Sequence, residues 1–247
     1  MCPDFIVPDW PVPDRVKAIV TTRKGGVSGG AYDSFNLASH VGDDPGAVAA
    51  NRASLRAILP GEPFWLEQVH GTEVVMPETG SGEPAPPAAD ASCTRQPGAV
   101  CVVMTADCLP VLFCDDAGSV VAAAHAGWRG LCAGILERTV DAMGVSPERL
   151  HAWLGPAIGP EAFEVGDEVR TAFLREDAGA AAAFAVGKEQ GKWLADLYLL
   201  ARLRLARAGV VRVFGGGFCT YADAERFYSY RRDRVTGRMA SLIWLAP

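Results

Sequence analysis

Histidine is scarce in this 247-residue chain, with only four, and its seven cysteines contain no CxxC pair. An odd, scattered set of thiols (Cys2, Cys93, Cys101, Cys108, Cys114, Cys132 and Cys219) fits reduced side chains and excludes the disulfide framework of a small secreted domain. Long hydrophobic runs are also missing. Although 49% of the residues are hydrophobic, each apolar run is broken by Gly, Pro or a charge before it reaches the length of a spanning helix, so no membrane partner is expected. Basic residues are outnumbered, 23 Lys and Arg against 29 Asp and Glu, and the net charge of -6 excludes a general attraction to nucleic acid or anionic membrane. Met1-Cys2-Pro3-Asp4, followed by Asp9 and Asp14, lacks the basic stretch and apolar core of a secretory signal, and a cytoplasmic protein is expected.

What is present predicts a mixed α/β chain folded as a single domain over residues 1–247. Val16 to Thr22 reads as a strand and leads into a Gly-rich loop, Arg23 to Gly30, whose two cations and flexible backbone suit an anion as well as a plain surface turn. Asp43-Asp44-Pro45 marks a helix start, with Val48, Asn51, Leu55 and Ile58 at helical spacing. Gly80 to Ala89 has the composition of a loose insertion. Ala99–Met104, Pro110–Cys114 and Ser119–Ala124 are near-continuous apolar runs, expected as strands of one central sheet buried on both faces. Leu131–Met143 reads as an amphipathic helix ended by Gly144, with a strand around His151–Leu154. Helices are predicted over Glu161–Leu174 and Lys192–Ala208, and late strands over Val210–Phe214 and Ser241–Leu245.

The chemistry-bearing side chains fall where buried strands end: Asp107-Cys108 after the first run and His125 after the third. Loops at strand ends converge while the sheet stays rigid, which favours sites there. A Cys and a His brought together admit either a thiolate activated by an imidazole or a pair of metal ligands. His70, in Gln68-Val69-His70-Gly71, is the candidate third ligand, because two His and one Cys with an open fourth position make a catalytic zinc set whose remaining position suits water. These residues have no diagnostic spacing, so ordinary packing stays open on the residues alone. His40 and His151 are left out of the set, His40 as a group that orients the Asp43-Asp44 turn and His151 as a residue satisfied within its strand.

Several ordered motifs then coincide: Thr21 to Ser28, Phe35-Asn36-Leu37, His40 to Pro45, Asn51-Arg52, Gln68 to Gly71, Thr105 to Pro110, Ala124 to Gly130, Gly155 to Pro160, Phe163 to Gly166 and Phe227 to Asp233. Together they resemble the YfiH/YlmD-like family, long labelled multicopper polyphenol oxidase or laccase-like, over nearly the whole chain. One departure stands out, since Arg234 occupies a position where the resemblance leads one to expect Gly.

The resemblance implies a layered mixed sheet with flanking helices, similar to cytotoxic-necrotizing-factor-type cysteine hydrolases, and zinc held by His70, Cys108 and His125. It further implies phosphorolysis of adenosine, inosine, guanosine or methylthioadenosine, with adenosine deamination. The copper of the older label is disfavoured, because four histidines cannot build several copper centres. Phosphorolysis needs cations for phosphate and a Lewis acid or proton donor for the departing base. Arg52 and Arg129 lead the candidate phosphate clamps, followed by Arg23 and Lys24. Asn36 and Gln68 are candidates for hydrogen bonds to sugar or base, Asp107 for orienting a ligand or moving a proton, and Trp128 or Phe163 for stacking. Two other readings compete: a metal-free cysteine hydrolase with Cys108 as nucleophile and His125 as base, acting on an amide of a peptidoglycan precursor, and a nucleoside-binding regulator without turnover.

Overall fold

The computed structural model describes residues 3–77 and 85–247. Cys2 and residues 80–84 of the expected Gly80–Ala89 insertion lie outside them. Two sheets stack face to face. The first has five strands in the order β1 (Phe5–Ile6), β2 (Val16–Thr21), β14 (Met239–Leu245), β6 (Val100–Thr105) and β3 (Pro63–Phe64). The second has six, in the order β13 (Arg212–Gly215), β9 (Leu150–Leu154), β7 (Leu109–Asp115), β8 (Val121–Ala126), β5 (Ala91–Thr94) and β4 (Val74–Val75).

Strand parity explains why the central runs are apolar on both faces. Along β6, Cys101 and Val103 join Leu112, Cys114, Val121, Ala123 and Trp153 in the core between the sheets. Val100, Val102 and Met104 point the other way, against Phe35, Leu37 and Leu55. Leu55 belongs to α1 (Pro45–Arg56), which starts where Asp44 accepts the Ala47 N–H at 2.8 Å and Pro45 takes the first turn. On the outer face of the second sheet, Val111, Phe113, Ala122 and Ala124 pack under a helical layer through residues such as Leu136, Phe173 and Leu200. The result is four layers, helix, sheet, sheet, helix. Each fully buried aliphatic side chain in them contributes about 1.5–3 kcal/mol.

The architecture corrects several expectations in detail. The three apolar runs do not share a sheet: β6 lies in one, β7 and β8 in the other, because the chain crosses between them at residues 106–108. The helix expected over Leu131–Met143 is two, α2 (Trp128–Ala133) and α3 (Ile135–Met143), broken at Gly134 with φ +101°. Two further helices begin later than their periodicity suggests, as α4 (Asp167–Glu176) and α5 (Leu197–Arg207). The residues before them pair instead in a small antiparallel sheet of β10 (Glu164–Gly166), β12 (Lys192–Ala195) and β11 (Phe184–Val186). Asp196 accepts the Leu199 N–H at 2.9 Å and sets the true start of α5. The described end of the Gly80–Ala89 segment is not loose, since Glu67 pairs with it through the Pro87 carbonyl and the Ala89 N–H.

Candidate metal centre and adjoining cavity

Val121, Ala123 and His125 share one face of β8, so strand parity alone aims His125 into the gap between the sheets, at its open end. Cys108 reaches the same place from the crossover. Asp107 holds that crossover in a tight turn at φ +89°. Its carboxylate accepts the Thr220 hydroxyl and the Arg231 N–H, both at 2.6 Å, and its backbone carbonyl accepts the Ile158 N–H at 2.9 Å. His70 arrives on the loop between β3 and β4, itself left-handed at φ +61°. The His70, Cys108 and His125 ligand atoms lie within 4.8 Å of one another, with Cys108 Sγ 3.8 Å from His70 Nε2.

One residue ties the His70 loop to the His125 strand, and motif reading missed it. Asp90, fully buried, accepts the N–H groups of Val69, His70 and Gly71 at 3.2, 3.0 and 2.6 Å. It also bonds His125 Nδ1 at 2.8 Å, and its backbone carbonyl accepts the His125 N–H at 2.7 Å. Its place follows from register: β5 and β8 are antiparallel with Ala91 opposite Ala124, which sets Asp90 opposite His125. The only signal in the sequence is a lone acid inside Ala88-Ala89-Asp90-Ala91-Ser92-Cys93.

The electrostatics follow from this packing. Burial disfavours ionised Asp90, but the bonds from His125 and Gly71 outweigh it and hold the carboxyl below its usual range. Burial also raises the Cys108 thiol, yet His125 and His70 beside it bring it down to about 6. Burial opposes the His125 imidazolium, while Cys108 and Asp90 favour it and lift it to about 9. Cys101 and Cys114, buried and far from any imidazole of the cluster, are pushed up to about 12 instead.

The cluster suits a zinc ion. Two imidazoles and a thiolate are its ligand types, and a His whose Nδ1 is fixed by a carboxylate offers Nε2 to a metal in one tautomer. Gly127 leaves room for the two side chains to meet, since a Cβ there would fall 2.8 Å from His70 Cδ2 and 3.1 Å from Cys108 Sγ.

The centre forms one wall of a cavity of about 780 Å³. Arg52 and Gln68 line it as expected, but both are partly committed. The Gln68 amide donates to the Met104 carbonyl at 2.8 Å and accepts the Met104 N–H at 2.7 Å, completing the edge of β6. Arg52 Nε donates to the Leu37 carbonyl at 2.8 Å, and its guanidinium lies 4.0 Å over the Trp65 ring. His40, Trp65, Tyr230 and Arg238 also line the cavity, none of them proposed as a site residue from motifs.

The other expected residues do not line it. Asn36 is buried, bonded to Ala38, Asp43 and the Arg238 N–H. Arg23 donates to the Asp33 and Ala224 carbonyls, and Lys24 pairs with Glu225. Arg129 is exposed and lies over Trp128, while Phe163 carries Arg231 above it, so both rings have a cation on one face. Asp107 is spent on Thr220 and Arg231 and acts here as a clamp on the Cys108 turn. Arg234 adopts φ +62° at the end of α6 (Tyr230–Asp233), the left-handed backbone that explains the expectation of Gly.

A model of the multi-copper polyphenol oxidoreductase laccase family matches residues 17–246. The chain belongs to that family. Among relatives in this laccase-labelled family, it is 60% identical over 244 residues to purine nucleoside phosphorylase YfiH of Escherichia coli, and 57% identical over 241 residues to a purine nucleoside phosphorylase of Pseudomonas aeruginosa, with 98% of each chain covered in both cases. A crystal structure of a Neisseria meningitidis protein superposes with a TM-score of 0.92 at 53% identity, covering 98% of this chain and 99% of that one. The laccase label of the family sits poorly on four histidines, of which two, with one thiol, form the cluster above.

Proposed function

We propose that this protein is a zinc-dependent purine nucleoside phosphorylase, acting on adenosine, inosine, guanosine or methylthioadenosine, that also deaminates adenosine. The observation that carries the reading is the His70, Cys108 and His125 cluster set into the wall of a cavity of about 780 Å³ that also presents arginine. The names of its close relatives support it. In phosphorolysis a phosphate oxygen bonds to the anomeric carbon as the bond from that carbon to the base nitrogen breaks. The electron pair leaves with the base, which takes up a proton. In deamination water adds at C6 of adenine and ammonia departs.

His70, Cys108 and His125 would hold the zinc, which when bound would supply a Lewis acid at this wall of the cavity. The remaining work falls to the chain's own groups. Asp90 fixes the His125 ring through Nδ1 and the His70 turn through three N–H groups. Asp107 fixes the turn that presents Cys108. Arg52 brings positive charge to the cavity, backed by Trp65. Gln68 shapes its floor, and the sheet edge behind it keeps that floor rigid. Cytoplasmic residence and a single folded unit over residues 1–247 belong to the same reading.

One observation favours a second reading. Cys108, His125 and Asp90 stand in the order nucleophile, base and orienting carboxylate, with the thiol brought down to about 6. A metal-free protein of this kind attacks an amide carbonyl with the Cys108 thiolate, passes the His125 proton to the leaving amine, and releases the acyl group to water. A peptidoglycan precursor carries such amides.

Metal analysis of protein purified without added metal, paired with an assay of base release from inosine with and without phosphate, separates the two. About one zinc per chain, lost in His70→Ala, together with base release only when phosphate is present, is the expected result. Full activity on an amide after chelation, abolished by alkylation of Cys108, would select the hydrolase.

A further inference from the structure

Besides the proposed metal ligands, the same cavity is lined by a concentration of positive charge. Arg52 and Arg238 both line it, both are half-buried, and among the described residues neither has a carboxylate within ion-pair distance. Withdrawing a guanidinium from water without an anionic partner is costly, so an anion that enters the cavity gains two unpaired partners there. Burial accordingly lowers the pKa of each. His40 lines the same cavity, and after its own burial the charges of Arg238 and Arg52 depress it further, which places the three side chains in one electrostatic neighbourhood.

Each arginine is also held in place. Arg52 is pinned through Nε to the Leu37 carbonyl and backed by Trp65, and Arg238 through Nη1 to the Thr236 and Gly237 carbonyls, both at 3.0 Å. Among the described residues, the Arg52 Nη atoms and Arg238 Nε and Nη2 make no hydrogen bond. A pre-positioned pair of guanidinium forks beside a His is suited to a tetrahedral oxyanion.

We infer that Arg52, Arg238 and His40 form a subsite for inorganic phosphate in the cavity that the proposed metal ligands also line. The inference deepens the phosphorylase reading and rests on it for its substrate. The subsite supplies the attacking phosphate. It also gives His40 and Arg238 roles in recognition that no motif assigned. The same chemistry would accept the 5′-phosphate of a nucleotide, so the experiment includes both ligands.

Zinc-loaded wild type and the variants Arg52→Gln, Arg238→Gln, Arg238→Lys and His40→Ala are titrated calorimetrically with inorganic phosphate alone, then with a purine nucleoside 5′-monophosphate. Steady-state KM for phosphate is measured beside them, with Arg138→Gln as an exposed control on α3. Folding and zinc content of each variant are checked first, and His40→Ala and Arg238→Lys keep the test alive if a Gln variant does not fold. Phosphate affinity is expected to fall, and KM for phosphate to rise, by about tenfold or more in the Gln variants with a smaller change in kcat, while the control is unchanged. An unaltered phosphate KM in folded, zinc-loaded variants overturns the subsite while leaving phosphorolysis intact. Binding of the nucleoside monophosphate that depends on these residues, without binding of phosphate, also overturns it. Phosphate binding lost in the variants of a protein that releases no base would uphold the subsite and remove the phosphorylase reading.

Discussion

Asp90 does with one carboxylate what three separate contacts would otherwise have to do. It receives the N–H groups of the turn that carries His70 and the Nδ1 of His125. Asp90→Asn preserves the shape but puts an NH2 donor in place of one oxygen, and because each oxygen takes two of those bonds, two are lost and donors face a donor. Zinc affinity is expected to fall about 10- to 100-fold, read by competition with a chromogenic chelator, with Asp90→Glu recovering part of it. Affinity equal to wild type in Asp90→Asn would show that the carboxylate has no part in holding the ligands. At this scale the sequence was uneven. His70, Cys108 and His125 are legible because each belongs to a residue type that chemistry singles out, and His125 also continues the Val121, Ala123 face of its strand. Asp90, Arg238 and His40 were not, because their roles come from register and from cavity shape, which leave no local pattern.

Between elements, the places where the chain turns matter more than the strands. The crossover at residues 106–108 carries a ligand because the chain changes sheets there, and apolar composition alone could not show that β6 and β7 part company. Short apolar stretches also fit helix and strand equally well. That ambiguity hid β10 and β12, which pair with each other across 25 intervening residues, whereas α1, with its Asp44 cap and Pro45, was read correctly. Arg234 closes α6 at φ +62° and ψ -60°, a backbone costly for any residue with a Cβ. Arg234→Gly is expected to stabilise the protein by about 1 kcal/mol, seen as a higher denaturant midpoint at unchanged slope. A lower midpoint would mean that the Arg234 side chain contributes more than its backbone costs.

Seen whole, the candidate metal centre sits where the two sheets meet, with its residues drawn from three segments. Only the folded chain brings His70, Cys108 and His125 within 4.8 Å, so the proposed zinc would bind the native state in preference to the unfolded one. Removing it with a chelator is expected to lower the melting temperature by about 5–10 °C relative to protein at a zinc concentration about 100-fold above Kd. An unchanged melting temperature would mean that the cluster holds no ion. The layered architecture was foreseeable from buried strands alternating with amphipathic helices, but its division into two stacked sheets was not, because strand order is set by long-range pairing.

The position of β14 has a consequence for how the molecule comes into being. Its residues, 239–245, lie between β2 and β6, so the middle of the first sheet is filled by a segment made after both of its neighbours. Until residues 239–245 are made, β2 and β6 have no common neighbour and the wall that carries Arg238 does not exist. The strands β4, β5, β7, β8 and β9 of the second sheet are made before then, but the cavity gains its last wall only once synthesis has passed β14.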